Sequence, residues 1–340
     1  MPIKVGVVGY GTIGARIADA VMKQPDMELI GIAKTTPDYK AKTAVSRGIK
    51  IFIPENSIES WKKAGIKVDG VVEDLVREAD VIVDATPKGV GKANSEIYKK
   101  EGRIAIFQGG EKKDLVEATV VAQVNYNEAR GKRMIRVPSC NTTALSRISW
   151  FLEREYGVER IIATIARRAA DPADKKEGII DNIEFDPIKP PSHHGEDVRT
   201  VLKNLNIFTT AIKIPTTHAH LHLINAKLRK KASREEIIDA LSEERRIMLV
   251  SSEDGITTTA DVFELSRHLG RPMNNIYENV IWIESIHSDG EWVYLAQAVH
   301  QEAIVVPENI DAIRAVASTL DAESSMNTTD RTLGIVKGRI

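Results

Sequence analysis

Residues 3–14 have the sequence IKVGVVGYGTIG, an apolar run that leads directly into the motif G-x-G-x-x-G. The run Ile3–Val8 is typical of a strand buried on both faces, as in a parallel sheet. Gly9 permits a tight turn, Gly11 lets a pyrophosphate approach the backbone, and Gly14 lets the next helix pack closely on the strand. The helix that follows offers free N–H groups to phosphates. The stretch therefore predicts a dinucleotide-binding turn.

The rest of the chain divides into two parts with different patterns. Strands alternate with helical segments up to about residue 140, which predicts an α/β fold with a doubly wound parallel sheet. After Cys140 a long helix and several alternating strand patterns favour an α+β catalytic domain with a mostly antiparallel sheet. Pro307 can occupy the first turn of a final helix, Glu308–Leu320.

Composition excludes several classes of protein. The chain has 340 residues, long enough for two domains, and 47 basic against 48 acidic residues give a formal charge of -1. This balance leaves no excess of positive charge that would attract nucleic acid or an anionic membrane surface. The apolar runs are strand-sized and no signal peptide precedes the first strand, so we expect a cytoplasmic protein. Only five glutamines occur, whereas Ile, Val, Glu, Lys and Arg are plentiful, a composition that fits a thermophile.

The end of the second strand bears on the choice of coenzyme. A site specific for NAD usually has a carboxylate about 20 residues after the glycines, which bonds the ribose 2′-hydroxyl. Here the strand ends in Ala33-Lys34-Thr35-Thr36. A lysine followed by hydroxyls suits a 2′-phosphate, so the sequence predicts that NADP is preferred and NAD also accepted.

Cys140 is the only cysteine, and it lies between a predicted strand and a predicted helix. A helix N-terminus lowers the pKa of a thiol because its dipole stabilises the thiolate. Asn141, Thr142 and Thr143 add hydrogen-bond donors near a developing anion. This position favours a nucleophile, whereas a structural role would place the cysteine in an apolar core.

Histidines and arginines supply candidates for the remaining chemistry. His218, His220 and His222 alternate along one predicted strand, so all three point to one face, and the residues alone leave open which is the catalytic base. A metal site is the alternative, but no cysteine or carboxylate alternates with them. His193 and His194 lie in a proline-rich stretch and could bind an anion. Arg167 and Arg168 end a strand and match phosphate in bidentate geometry.

Four motifs together resemble the archaeal glyceraldehyde-3-phosphate dehydrogenases, over essentially the whole chain. They are residues 9–14 (GYGTIG), 138–143 (PSCNTT), 190–195 (PPSHHG) and 215–217 (PTT). The bacterial and eukaryotic branch has Ser-Cys-Thr-Thr-Asn and a catalytic histidine shortly after the cysteine. This chain has no histidine between Cys140 and His193. In the archaeal branch the base comes from a later strand, which matches His220.

The resemblance implies a homotetramer and a three-part chain. Residues 1–139 would form a Rossmann-type dinucleotide-binding domain, residues 140–303 a catalytic domain, and residues 304–340 a C-terminal helix that returns to the first domain. Thr12, Ile13 and Gly110 would contact the cofactor, with Arg168 at its border and Gln301 near the nicotinamide. The substrate would meet Ser139, Asn141, His194 and Gly195. Arg167, Arg168, Thr142, Thr143 and His194 would supply two phosphate sites.

The function this predicts is the phosphorylating oxidation of D-glyceraldehyde 3-phosphate to 1,3-bisphosphoglycerate with NADP or NAD, a step of glycolysis and gluconeogenesis. Its partners are the phosphorylated aldehyde and inorganic phosphate, and no metal is required. One alternative is another cysteine-dependent acyl-phosphate reductase, such as aspartate-semialdehyde dehydrogenase, in which an arginine grips a carboxylate. A second alternative is a non-catalytic dinucleotide-binding redox sensor, in which Cys140 is only an oxidisable thiol.

Overall fold

The computed structural model describes residues 1–111, 113–169, 182–216 and 219–340. They form two compact units. The first contains Met1–Ser139 and Val306–Leu333, and the second contains Cys140–Val305 and Gly334–Ile340.

The strands of the described residues, in chain order, are β1 (Ile3–Val8), β2 (Met27–Ala33), β3 (Ile51–Ile53), β4 (Gly70–Val71), β5 (Val81–Asp84), β6 (Ile104–Gln108), β7 (Ala118–Thr119), β8 (Met134–Val137), β9 (Val158–Arg168), β10 (Glu184–Phe185), β11 (Ile207–Ile214), β12 (His220–Ala232), β13 (Ile247–Val250), β14 (Asn279–Trp282), β15 (His287–Ser288), β16 (Gly290–Val299) and β17 (Gly338–Arg339). The α-helices are α1 (Thr12–Met22), α2 (Tyr39–Ser46), α3 (Ile58–Ala64), α4 (Val72–Glu78), α5 (Val90–Lys100), α6 (Ala122–Asn125), α7 (Cys140–Tyr156), α8 (His193–Arg199), α9 (Arg234–Glu243), α10 (Thr259–His268), α11 (Val306–Ala317) and α12 (Ala322–Leu333).

The first unit is built on a parallel sheet with the strand order β4-β3-β2-β1-β5-β6-β8-β7. Strand β1 lies between β2 and β5 and pairs with both in parallel. Val5 and Val7 are fully buried, because a strand in the middle of such a sheet is covered on both faces. The predicted Rossmann-type parallel sheet is confirmed.

The second unit is built on a sheet with the order β10-β11-β9-β12-β16-β14-β13-β17, with β15 beside β16. Its central strand β12 runs antiparallel to both β9 and β16. The pairs β10–β11, β14–β16 and β15–β16 are also antiparallel, which confirms the predicted mostly antiparallel sheet. The pairs β9–β11, β13–β14 and β13–β17 are parallel, so the sheet is mixed rather than purely antiparallel. Alternating hydrophobicity shows which face of a strand is buried but not the direction of its partner.

The C-terminal segment contains two helices in the first unit, where the sequence predicted one. The second, α12, buries the hydroxyl side chains of Ser325 and Thr329 as well as Met326 and Leu333. The two hydroxyls donate to the buried carboxylate of Asp311, 2.7 and 2.6 Å away. The guanidinium of Arg314 donates to both carboxylate oxygens of Asp26 at 2.8 and 2.7 Å. An apolar periodicity cannot reveal a helix whose buried face is hydroxyl-rich.

Two kinds of feature are absent from the described residues. No helix among them is both long and apolar enough to cross a membrane. Within the same described part of the chain, no group of three or more His, Cys, Asp or Glu side chains could hold a metal ion.

Candidate active site

The glycine-rich turn has the geometry that the binding of a dinucleotide requires. Gly9 has a φ of +92°, and a Cβ on it would lie 2.8 Å from the backbone of Ala85. A Cβ on Gly14 would lie 2.0 Å from the carbonyl oxygen of Gly9, whereas a Cβ on Gly11 would meet nothing within 4 Å. The packing of the turn therefore requires a glycine at positions 9 and 14. Gly11 leaves open space in front of the N-terminus of α1, where phosphate oxygens fit.

Lys34 lies at the end of β2 and already has an anionic partner. Its Nζ lies 3.0 Å from Oδ2 of Asp38, and its side chain is only 10% exposed. Asp38 also caps α2, because its Oδ1 accepts from the main-chain N–H groups of Lys40 and Ala41. Partial burial raises the pKa of Asp38, but the hydrogen bonds from Lys34 and from Ala41 outweigh it and hold that pKa below its ordinary value. Lys34 follows the last residue of β2, as predicted, but its ion pair with Asp38 was not predicted.

Two further cofactor candidates lie in the same unit. The hydroxyls of Thr35 and Thr36 are 3.5 Å apart, and the carbonyl of Thr35 accepts from the indole N–H of Trp61. A Cβ on Gly110 would lie 3.1 Å from the side chain of Lys88, so the Lys88 side chain lies close to the backbone of Gly110.

Cys140 and His220 form a thiol–imidazole pair in the second unit. Cys140 is the first residue of α7, and His220 is the first residue of β12. The Sγ–Nε2 distance is 3.3 Å. Cys140 is half-buried, whereas His220 is almost completely buried. A nucleophile and an imidazole within hydrogen-bond distance are the signature of an activated thiol.

The second ring nitrogen of His220 is also occupied. The main-chain N–H of Arg168, at the end of β9, donates to Nδ1 over 3.1 Å. Burial lowers the pKa of His220 well below its ordinary value, and electrostatic interactions with His222, Arg168 and Arg167 lower it further. His220 is therefore a neutral imidazole held between the sulfur and the backbone.

His222 contacts the start of α7 through a hydrogen bond to Asn141. Nε2 of His222 lies 2.9 Å from Oδ1 of Asn141, and Nδ1 lies 3.0 Å from the amide nitrogen of Gln297. The amide of Asn279 donates in turn to Gln297 over 2.9 Å. Burial lowers the pKa of His222 to about 3. Because Gln297 donates its N–H to Nδ1, neutral His222 carries its proton on Nε2 and donates to Asn141.

His194 completes this hydrogen-bond chain. The amide nitrogen of Asn141 lies 3.3 Å from Nε2 of His194, and Nδ1 of His194 lies 3.1 Å from the hydroxyl of Ser192. Thr209 joins the chain, since its hydroxyl accepts from Ser192 and from the main-chain N–H of Gly195. Burial, together with the nearby charge of His193, lowers the pKa of His194 to about 2. The chain fixes the amide of Asn141 beside the thiol.

The remaining predicted residues lie in different surroundings. The guanidinium of Arg167 makes an ion pair with the carboxylate of Asp186. Thr142 and Thr143 are fully buried in the first turn of α7. Ser139 is half-buried and is the last residue of the first unit, and Gln301 is buried just after β16 in the second. His218 lies outside the described residues.

Sequence reasoning missed four residues that hold the site: Ser192, Thr209, Asn279 and Gln297. Gln297 reaches His222 because β16 pairs with β12 in a register that sets those two residues opposite each other. Strand pairing makes this contact between residues that are 75 positions apart in the chain. Ser192 offered a weak signal, since it stands in the same short motif as His194.

A parallel sheet with a glycine-rich turn after its first strand, and a thiol–imidazole pair at a helix start in a mixed-sheet unit, define the class of two-unit, thiol-dependent dehydrogenases. Comparison with known proteins gives the particular family. The family model described as "Glyceraldehyde 3-phosphate dehydrogenase, C-terminal domain" matches residues 139–282. The model described as "Dihydrodipicolinate reductase, N-terminus" matches residues 3–122.

Full-length relatives agree with the first of these matches. Proteins named glyceraldehyde-3-phosphate dehydrogenase from Archaeoglobus fulgidus and Hyperthermus butylicus are each 49% identical over 339 residues, which is 99% of this chain and 99% of theirs. The protein of that name from Saccharolobus solfataricus is 49% identical over 336 residues, with the same coverage. The chain belongs to the glyceraldehyde-3-phosphate dehydrogenase family, and the resemblance to archaeal members is confirmed.

Proposed function

We propose that this chain catalyses the phosphorylating oxidation of D-glyceraldehyde 3-phosphate to 1,3-bisphosphoglycerate with a nicotinamide dinucleotide. The observation that carries the proposal is the 3.3 Å contact between Sγ of Cys140, at the start of α7, and Nε2 of His220. Membership of the family supplies the substrate class. The contact supplies a reason why this chain can perform the chemistry.

The thiol of Cys140 is the nucleophile in this proposal. As a thiolate it adds to the aldehyde carbon and gives a thiohemiacetal, which is oxidised to a thioester. Inorganic phosphate then attacks the thioester, releases the acyl phosphate and restores the thiolate. The dipole of α7 and the N–H groups of its first turn stabilise the negative charge on sulfur. The covalent thioester conserves the energy of oxidation for the phosphorylation step.

Asn141 and His194 are proposed to orient the substrate beside the thiol. The amide of Asn141 is fixed on both sides, by His222 and by His194, so its position needs no reordering when substrate binds. We assign Ser139, Thr142, Arg167 and Gly195 to the substrate and phosphate sites. The ion pair of Arg167 with Asp186 means that its guanidinium must exchange this partner, or share it, to hold a phosphate.

Each unit contains residues that we propose for the binding of the dinucleotide. In the first unit they are Gly9, Gly11, Thr12, Ile13, Gly14, Lys34, Thr35 and Gly110. In the second unit they are Arg168 and Gln301. The open space at Gly11 fits the pyrophosphate. When bound, the oxidised nicotinamide accepts the hydride. We propose that NADP and NAD are both used, with NADP preferred through Lys34.

The archaeal resemblance further leads us to propose a homotetramer that works in the cytoplasm of a thermophile. Light scattering from the purified protein measures the first of these. A mass near one or two chains would contradict the tetramer.

An assay of coenzyme reduction tests the proposed activity. With glyceraldehyde 3-phosphate we expect turnover that requires inorganic phosphate and follows its concentration. Aspartate semialdehyde serves as the control aldehyde, with a carboxylate in place of the phosphate. Preference for aspartate semialdehyde would favour the alternative reductase. Turnover of glyceraldehyde 3-phosphate without a phosphate requirement would overturn the phosphorylating reaction, and coenzyme binding with no turnover of either aldehyde would favour the redox sensor.

A further inference from the structure

Seven side chains of the second unit form one hydrogen-bond chain, and each of them is at most 3% exposed. In order they are Asn279, Gln297, His222, Asn141, His194, Ser192 and Thr209. Burial lowers the pKa of His222 to about 3 and that of His194 to about 2, so each imidazole has one N–H at neutral pH. An amide can be turned over, and a neutral imidazole can carry its proton on either nitrogen, with little change in shape. Main-chain groups, which only donate or only accept, must therefore set the direction of the hydrogen bonds.

The first end of the hydrogen-bond chain is set by a main-chain carbonyl of α7. The carbonyl of Ala144 can only accept, and the side-chain nitrogen of Asn279 lies 2.8 Å from it. The same nitrogen lies 2.9 Å from Oε1 of Gln297, so Gln297 turns its own nitrogen toward Nδ1 of His222, 3.0 Å away. His222 must then carry its proton on Nε2, from which it donates to Oδ1 of Asn141 over 2.9 Å.

The second end is set by main-chain groups at the start of α8. The hydroxyl oxygen of Thr209 accepts from the N–H of Gly195 over 2.9 Å, and its proton goes to the carbonyl of Ser192 over 3.0 Å. The hydroxyl of Ser192 must therefore donate to Thr209, 2.8 Å away, and can only accept from His194. His194 thus carries its proton on Nδ1, 3.1 Å from that hydroxyl, and its Nε2 accepts from the amide of Asn141 over 3.3 Å.

Both ends impose the same orientation on the amide of Asn141. Its oxygen must face the N–H of His222, and its nitrogen must face the lone pair of His194. That nitrogen carries a second hydrogen, for which the described part of the chain supplies no acceptor. An amide turned the other way would present an oxygen in its place and would repel an oxygen atom of a substrate.

We infer that Gln297 and His222 are positioning residues for the oxidation, because they hold Asn141 with its second N–H available to the oxygen of the bound aldehyde. The inference rests on the proposed function, which assigns Asn141 to the substrate. Gln297 and His222 do not touch the reacting atoms in this role. They act through the amide of Asn141, whereas His220 lies against the thiol itself.

A double-mutant cycle separates this positioning role from a structural one. Gln297→Met removes the amide and nearly keeps the volume of the side chain. Because His194 still holds Asn141 from its other side, we expect kcat/KM for glyceraldehyde 3-phosphate to fall about three- to tenfold, the worth of one buried hydrogen bond. Asn141→Ala removes the donor itself and should lose about 10²–10³. Since Gln297 acts through Asn141, the double variant should match Asn141→Ala within about twofold.

Alkylation of Cys140 by iodoacetamide provides a second readout. Its rate depends on the thiol and on His220, which Gln297→Met leaves in place, so it should stay within about twofold of the wild-type rate. Asn225→Leu is the matched control, because Asn225 lies on β12 with its side chain on the opposite face of the sheet. Its amide donates to the carbonyl of Ile162 over 3.4 Å, and we expect its loss to leave kcat/KM unchanged.

Three kinetic results would overturn the inference. The first is a kcat/KM of Gln297→Met within about twofold of the wild type. The second is a loss on adding Gln297→Met to Asn141→Ala that equals its loss in the wild-type background, since additive losses indicate independent roles. The third is an equal slowing of Cys140 alkylation, which would show general damage to the site.

The wild-type protein provides a test that does not depend on the folding of a variant. After selective ¹⁵N labelling of histidine, long-range ¹H–¹⁵N spectra show which nitrogen of each ring carries the proton, and His222→Gln and His194→Gln assign the signals. We expect opposite tautomers at neutral pH, with the proton on Nε2 of His222 and on Nδ1 of His194. The other tautomer in either ring would overturn the inference.

Failure of the proposed function is distinguishable from failure of this inference. If the wild-type enzyme oxidises no glyceraldehyde 3-phosphate, the activity is wrong, and the two tautomers alone decide whether the hydrogen-bond chain has this direction. If the enzyme is active and the losses in the cycle are additive, the activity stands and the positioning role fails.

Discussion

Asp38→Asn should strengthen the binding of NADP and leave that of NAD unchanged. The carboxylate of Asp38 lies 3.0 Å from Nζ of Lys34, the cation that we assign to the 2′-phosphate. An asparagine oxygen can still accept from the N–H groups of Lys40 and Ala41, so α2 keeps its cap. The substitution therefore removes one negative charge with little change in local structure.

The distance of the ion pair sets the size of the effect. A phosphate on the far side of the ammonium would make a charge-assisted contact of about 3 Å and would stand about 6 Å from the carboxylate. In water two unit charges at ~6 Å interact by roughly 332/(80 × 6), or about 0.7 kcal/mol. A phosphate monoester carries about -1.5 to -2 charges, so the repulsion that Asp38 exerts is about 1.0–1.4 kcal/mol, or roughly five- to tenfold in affinity. Asp38 is 32% exposed, so screening by salt places the expected gain at about three- to tenfold.

Isothermal titration of the purified protein with NADP and with NAD measures the two affinities directly. Glu96→Gln is the matched control. Glu96 belongs to the same unit, forms an exposed pair with Lys99 at 2.8 Å, and its substitution changes the net charge by the same amount. We expect no change in either affinity for the control. Lys34→Asp should raise the Michaelis constant for NADP at least tenfold and leave that for NAD nearly unchanged or improved.

Two results would refute this account of coenzyme choice. An NADP affinity of Asp38→Asn within twofold of the wild type would show that no 2′-phosphate lies near the pair. Equal NADP parameters in the wild type and Lys34→Asp would show that Lys34 serves only the ion pair with Asp38. Both results would leave the oxidation chemistry of Cys140 untouched.

Three further predictions concern the second unit. Cys140→Ser should keep coenzyme binding and lose turnover by several orders of magnitude, because a serine hydroxyl is not ionised at neutral pH, and more than a few per cent of normal activity in this variant would contradict covalent catalysis. Iodoacetamide should label the wild type once and abolish its activity. His220→Asn should lower kcat/KM by about 10²–10⁴-fold and slow alkylation of Cys140, and a larger loss in His222→Asn would show that the wrong imidazole has been assigned. Unfolded His222 binds a proton below about pH 6.5 but the folded group only near pH 3, so stability should fall by roughly 1.4 kcal/mol per pH unit over most of this range. Urea unfolding of His222→Gln at about pH 5.5 and about pH 4.5 should show a slope smaller by about that amount, and an equal slope would rule the contribution out.

The sequence was sufficient to predict those features that depend on residues adjacent in the chain. A continuous apolar run followed by three spaced glycines leaves few other conformations, and Gly9 takes the positive φ that this turn requires. The same holds for Cys140, because a strand, a proline and then a helix put the thiol at a helix start. Alternation along one strand placed His220 and His222 on one face.

Contacts between distant segments were beyond the sequence. The register between β12 and β16, which sets Gln297 against His222, depends on the packing of the whole sheet. The partner of Arg167 is the carboxylate of Asp186, 19 positions later, and their contact depends on where the short strand β10 lies. A charged residue in the sequence shows only that a charge is present, since a neighbour of either sign is equally compatible with its spacing.

The sequence by itself determined the parallel sheet, the dinucleotide-binding turn, the position of Cys140 at a helix start and the family, because each depends on residues adjacent in the chain or on a motif that few other folds carry. Only the tertiary structure decided which imidazole faces Cys140 and which main-chain group contacts the other side of its ring. The reason is physical: the main-chain N–H that donates to Nδ1 of His220 lies 52 positions earlier in the chain, and strand pairing brings it there.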